Sequence, residues 1–274
     1  MKKIIRSFIP PIFIDLYNSI KLKINNDAPT SFTGVFDNHS SIECQSPWVQ
    51  KKWLEIQENN LKAILSEDNK IITQTLTEFE VVPCYLINSL SQNSTSNIVD
   101  IGGGSGLTFF KFLPYFKNHS NINFHIVDYG KIALIGKEFS KKVDQDFNLS
   151  FYDDFSSLPK FDIDIIFCSS SIQFIYEYEN FIIDLVKSSP KYLIITQVPI
   201  GDFDTYFTAE NQHGYTTPRI MFNYNEFVDI FKRNGYLLEF EWPVNEYYPD
   251  SFFKKIPKDL RIRNSTSLIF KKLK

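Results

Sequence analysis

Cysteine is nearly absent: Cys44, Cys84 and Cys168 are the only three in 274 residues, and none stands in a C-x-x-C pair. An odd, widely spaced set excludes a disulfide framework and a cysteine zinc site, and fits a reducing, cytoplasmic compartment. The acids and the four histidines form no ligand cluster, so no metal is expected. No apolar run is long enough to span a bilayer. Met1 to Tyr17 begins basic and turns apolar, but Pro10-Pro11 and Asp15 interrupt it and no small-residue cleavage site follows, so a signal peptide is not expected. Positive charge is not in surplus either. The formal net charge is -3 and the pI near 5.9, which argues against a nucleic-acid partner.

Glycine is also scarce, ten in all, yet four of the ten fall within Gly102-Gly103-Gly104-Ser105-Gly106. Ile98-Val99-Asp100-Ile101 precedes them, and Leu107 to Leu113 follows with the spacing of a helix that buries one face. Strand, glycine turn and helix in succession let a ligand approach the backbone more closely than any Cβ permits, beside unpaired N–H groups. The dinucleotide fingerprint G-x-G-x-x-G would need its third glycine at Leu107, so what stands here is D-x-G-x-G-x-G.

Around this turn the chain has ordinary globular composition, 43% hydrophobic and 22% charged, and its length suits one main domain. The pattern predicts β-α units after Ile98, with strands at Asn123 to Asp128, Leu149 to Tyr152, Asp162 to Cys168 and Tyr192 to Val198. Helices are predicted at Lys131 to Lys142 and Glu179 to Val186. A capping-box-like start at Asn223 to Glu226 opens another, which Asn234-Gly235 ends. Tyr236 to Trp242 and Ser265 to Lys272 then read as two strands with no helix between them.

Ahead of the glycine turn, Ser46-Pro47 predicts a helix through about Leu65, and about Ile71 to Leu90 a second one that carries Pro83. Ile5, Phe8, Ile12, Phe13, Leu16 and Ile20 form an apolar stripe whose expected role is packing. The expected fold is thus α/β: a Rossmann-like, doubly wound seven-stranded sheet with an antiparallel last pair, plus an N-terminal helical segment. Residues 1–95 are read as support and lid, 96–274 as the ligand-binding domain.

Asp100, Gly102, Gly104 and Gly106 match the first motif of class I S-adenosylmethionine-dependent methyltransferases, which the chain resembles. The resemblance implies S-adenosylmethionine as cofactor. Asp128, 22 positions after Gly106, then stands where a carboxylate accepts from ribose hydroxyls. Of Asp153 and Asp154, we take Asp154 with Phe155 as the adenine contact. Ser169 opens the stretch after the fourth strand, at the sheet edge where ligands bind. Gln173 stands about where many small-molecule O-methyltransferases carry a histidine, which puts a histidine base at that position in doubt. The stretch Pro199 to Met221 reads as a long connection at the same edge, and its His213 and Glu210 are candidate general bases, with Gln173 a candidate for orienting substrate.

Phe8-Ile9-Pro10-Pro11-Ile12, Phe32-Thr33-Gly34-Val35-Phe36, Ser171-Ile172-Gln173-Phe174, Gln197-Val198-Pro199 and Asn211-Gln212 resemble a family of methyltransferases encoded in bacterial surface-polysaccharide clusters. That likeness implies a small-molecule or glycan acceptor. Two alternatives stay open: a non-catalytic partner protein in glycan assembly, and a nicotinamide-dependent sugar dehydrogenase. Both ends are basic, which reads first as solvated surface and second as contact with the inner membrane face.

Overall fold

The structure is a computed structural model that describes residues 30–128, 130–212, 214–244 and 248–273. The apolar stripe at Ile5 to Ile20 and the basic cluster around Lys2 lie outside the described residues. In chain order the elements are strand β1 (Ser31–Phe36), helices α1 (Lys51–Ala63) and α2 (Glu78–Leu90), strand β2 (Ser96–Ile101), helix α3 (Leu107–Phe112) and strand β3 (Ile122–Val127). Helix α4 (Lys131–Ser140), strands β4 (Asn148–Tyr152) and β5 (Ile165–Ser169), helix α5 (Tyr178–Lys187) and strand β6 (Tyr192–Val198) follow. The last part holds β7 (Ile200–Gly201), β8 (Tyr206–Gln212), β9 (Tyr215–Asn223), α6 (Tyr224–Arg233), β10 (Tyr236–Pro243), β11 (Phe253–Lys254) and β12 (Thr266–Lys272).

Seven strands form the main sheet in the order β10-β12-β6-β5-β2-β3-β4. β4, β3, β2, β5 and β6 run parallel, while β12 lies antiparallel to both β6 and β10, as the closing strand pair predicts. The central strands carry apolar runs, such as Ile165 to Cys168 and Leu193 to Ile195, because helices cover both faces. Successive side chains of β2 alternate between two cores: Ile98 packs with Phe109, Phe124 and Phe167 on the α1–α4 side, Val99 and Ile101 with Ile182, Phe227 and Phe231 on the α5–α6 side. Asp100 falls on the Ile98 face, just below the turn.

The N-terminal helices begin later than the sequence pattern predicts. A 3-10 turn, Pro47–Val49, precedes α1, and the extended Gln50 is its N-cap, so Pro47 belongs to the turn. For α2 the start is Glu78 and not Ile71, because Thr77 and Glu80 form a reciprocal capping box: Glu80 accepts from the Thr77 N–H at 2.8 Å and the Thr77 side chain caps the third helical residue. Pro83 lies inside α2.

The larger correction concerns Pro199 to Met221. Instead of a long connection it contains the hairpin of β8 and β9, which belongs to a second sheet of order β11-β1-β8-β9-β7. Gln212 pairs with Tyr215 in the ladder, and Gly214 just ahead of Tyr215 has φ +86°. β1 lies between β8 and β11, so the segment ahead of residue 95 contributes a strand as well as helices. Phe32, Tyr206, Met221, Tyr248 and Phe253 form this sheet's own small core.

Candidate active site

At the carboxyl edge of the main sheet the chain must turn sharply from β2 into α3. Gly102 makes that turn at φ +70°, and a Cβ on it would stand 2.5 Å from the Ser171 Cβ, so only glycine fits. Its N–H donates to the Val127 carbonyl at 2.8 Å, and the Ser171 hydroxyl donates to the Ile101 carbonyl at 2.7 Å, which fixes the turn between the ends of β3 and β5. A second glycine brings α4 against it: a Cβ on Gly136 would lie 2.4 Å from the Ser105 carbonyl oxygen.

A cavity of about 580 Å³ opens over this turn. Gly102, Gly103 and Gly104 line one part of it, together with Asp128, Lys131, Asp153 and Ser169. Asp128 stands just past the end of β3, and its Oδ2 accepts the Gly104 N–H at 2.8 Å. Gly106 caps α3 at φ +76° and sits behind the lining. Asp100 lies beneath the loop at 2% exposure; its Oδ2 has no hydrogen-bond partner and faces the position a Gly103 Cβ would take. Burial, and secondarily the charge of Asp128, pushes the Asp100 carboxyl up to about 8. Asp100 therefore supports the loop from below.

The acid pair after β4 divides its work differently from the expectation. Asp153 lines the cavity, whereas Asp154 is the N-cap of the 3-10 turn Phe155–Ser157. The Asp154 carboxylate accepts from the Ser156 hydroxyl at 2.6 Å and the Ser157 N–H at 2.9 Å, and the Ser156 bond in particular holds it below the usual carboxylate range. Phe155 packs against the α5–α6 core. Ser169 accepts from Thr196 Oγ1 at 2.8 Å and Gln197 Nε2 at 3.2 Å. Gln173 is fully buried below the lining; its Nε2 donates to Ser170 Oγ at 3.1 Å. His213 lies outside the described residues.

The opposite part of the cavity is built by the second sheet and the N-terminal segment. Glu210, Gln212 and Arg219 reach it from the hairpin, Trp48, Trp53 and Gln57 from the region of α1, and Tyr248 from the C-terminal part. Arg219 Nη1 donates to Glu210 Oε1 at 3.1 Å, with the guanidinium 5.1 Å from the Phe32 ring centre. The Ser105 hydroxyl donates to Gln57 Oε1 at 3.3 Å and ties α1 to the glycine turn. Trp48 stands edge-on to both Trp53 and Phe174, at 5.2 and 5.1 Å. Sequence reasoning missed Arg219 and Trp48 as lining residues, and it set aside the alternative it had weighed against Asp154, Asp153. The Asp154-x-x-Ser157 spacing, a capping signature, was the available signal for the last.

No family model matches the chain, and no curated protein matches its sequence. Solved structures do match in fold. A 1,6-didemethyltoxoflavin-N1-methyltransferase from Burkholderia thailandensis, bound to 1,6-didemethyltoxoflavin and S-adenosylhomocysteine, aligns with TM-score 0.52 at 10% identity over 91% of this chain and 98% of its own. The magnesium protoporphyrin IX methyltransferase of Synechocystis PCC 6803 aligns with TM-score 0.52 at 11% identity in its S-adenosylhomocysteine complex, over 82% and 98% of the two chains. Its S-adenosylmethionine complex gives 0.51 at 12% identity, over 82% and 95%. The chain has the Rossmann-like fold of these methyltransferases.

Proposed function

We propose that this chain is an S-adenosylmethionine-dependent methyltransferase whose acceptor is a hydroxyl of a sugar, in a surface polysaccharide or its precursor. The observation that carries the reading is the cavity floor: bare backbone at Gly102 to Gly104 beside Asp128 and Asp153, in a fold shared with enzymes crystallised with this cofactor or its product. The residues present fit the group. Asp128 lines the cavity with a carboxylate that suits a ribose diol, Asp153 offers an acceptor to an exocyclic amine, and Gly102 bears no side chain that would fill the space.

When bound, S-adenosylmethionine supplies an electrophilic methyl on a sulfonium centre. The chain has to hold the acceptor oxygen in line with that methyl, exclude water and take up the hydroxyl proton. Trp48 and Trp53 cover the cavity from the α1 side, which suits residues 1–95 to the role of support and lid for 96–274. Glu210 is the carboxylate on the acceptor side and our choice as proton acceptor; Gln173, buried behind Ser170, positions the lining. The mixed aromatic and polar wall of Trp48, Phe174, Tyr248, Gln212 and Glu210 suits a sugar ring, and the sequence resemblance points the same way.

The test is titration calorimetry of the full chain with S-adenosylmethionine, S-adenosylhomocysteine and NAD. Preference for the first two supports the reading and leads to acceptor trials on sugar nucleotides and glycans. A folded chain that binds neither would overturn it and leave a non-catalytic partner role.

A further inference from the structure

The main sheet accounts for one side of the cavity; on the other, the polar groups of the β8–β9 hairpin are out of balance. The ladder sets Thr208 opposite Arg219 and Glu210 opposite Thr217. Directly paired residues and their i+2 neighbours share a face, so all four side chains lie on the same side of the hairpin. They are buried, at 0, 5, 6 and 5% exposure in that order. Glu210 Oε1 is held by Arg219, but Glu210 Oε2 and the hydroxyls of Thr208 and Thr217 have no hydrogen-bond partner. Folded proteins leave few buried polar atoms unsatisfied, because each costs about 1–3 kcal/mol. Of the three, Glu210 lines the main cavity, and its unpaired Oε2 there is explained by a ligand that completes it. Glu210 and Thr217 also border a narrow void closed by Trp48 and Phe174, too tight for a water molecule.

We propose that this hairpin face recognises the acceptor. Glu210 Oε2 accepts a hydrogen bond from an acceptor hydroxyl or amine, Thr217 Oγ1 bonds a neighbouring polar group of the same ring, and Arg219 is the positioning residue that fixes Glu210 through Oε1. The inference rests on the methyltransferase reading and narrows it. At the reacting end the acceptor carries an uncharged or cationic hydrogen-bond donor, and a carboxylate or phosphate there is excluded.

Two observations set that class. A carboxylate only accepts, so its partner must donate, and Arg219 Nη1 is turned to Glu210 Oε1. Across the whole cavity Asp128, Asp153 and Glu210 outnumber Lys131 and Arg219, so an anionic substituent would meet a net negative lining at reduced dielectric. Glu210 lines the main cavity directly, whereas contact with Thr217 Oγ1, which borders only the void behind Trp48 and Phe174, requires those two rings to part.

The experiment uses saturation-transfer NMR on the full chain loaded with S-adenosylhomocysteine and two matched probe sets: methyl glycosides and 2-amino-2-deoxy glycosides of the common hexoses, and the corresponding uronic acids. Members of the first set are expected to bind, their uronic counterparts to bind about tenfold more weakly or worse, and Glu210→Gln and Thr217→Val each to cost about tenfold. S-adenosylhomocysteine affinity stays at the wild-type value in both variants. Two substitutions guard against one that fails to fold. Arg219→Met in the Glu210→Gln background is expected to add no further loss, since Arg219 acts through Glu210; additive losses would give it a separate role and overturn the positioning assignment. Uronic acids bound as tightly as the glycosides, unchanged binding in Glu210→Gln, or no glycoside binding at all overturns the acceptor class. Failure of the wild type to bind S-adenosylhomocysteine overturns the cofactor reading instead.

Discussion

The Asp128 carboxylate and the Gly104 backbone N–H, 2.8 Å apart, hold each other across the neighbouring strands β3 and β2. One acid thus shapes the glycine turn and faces the cavity.

Asp128→Ala is expected to weaken S-adenosylhomocysteine binding by about 2–3 kcal/mol, because it removes the diol acceptor and frees the loop N–H together. The loss of folding stability stays near 1 kcal/mol, since the bond lies at the rim of the cavity. Calorimetric titration and denaturant unfolding of the same preparation separate the two effects.

Gly136→Ala is expected to be the more damaging substitution for the fold. Alanine is the better helix former, yet its Cβ would lie 2.4 Å from the Ser105 carbonyl and 2.6 Å from the Phe151 ring, and the carbonyl is backbone that cannot rotate aside. Overpacking of this kind costs about 1–3 kcal/mol, read as a lower denaturant midpoint at unchanged slope.

The pH dependence follows from Asp100. Its carboxyl titrates near 8 in the folded chain against 3.8 for the ordinary group, so between those values the folded state binds the extra proton. Its contribution is complete below about pH 4 and is lost as pH rises through 8, with a slope of at most about 1.4 kcal/mol per pH unit. Asp100→Asn removes this term, so the variant gains on the wild type as pH rises from 5 to 9. Denaturant midpoints at several pH values measure it, and parallel profiles would show that Asp100 is ionised throughout.

Lys254, Lys255 and Lys258 are exposed close together in and after β11. If these basic residues bring the chain to an anionic membrane face, charge reversal at all three reduces co-sedimentation with anionic vesicles at low salt. Equal recovery of wild type and variant would assign them to solvated surface. Among the described residues no helix is long and apolar enough to cross a membrane.

The part of the candidate site around the glycine turn was legible because its signals are local. Asp100 to Gly106 and Asp128 sit at fixed offsets within one β-α-β unit, and Asn223 announces α6 by its own cap, accepting the Glu226 N–H at 2.9 Å. The hairpin side was not, because β8 buries polar residues: Thr208 is fully buried and Glu210 lines the cavity, so no apolar period of two marks the strand. Its partner strand lies far away in sequence, with Asn211 donating to the Ser31 carbonyl from 180 residues off. Arg219 reads as an ordinary surface cation until the register brings it beside Glu210.

Among the described residues no strand ladder joins the hairpin sheet to the seven-stranded sheet, although Ile200, Ile220 and Phe222 of the hairpin sheet pack into the α5–α6 core. The walls they give the cavity are separate in hydrogen bonding: exchange of Glu210 or Arg219 changes the hairpin wall while the glycine turn on the main sheet is inherited intact.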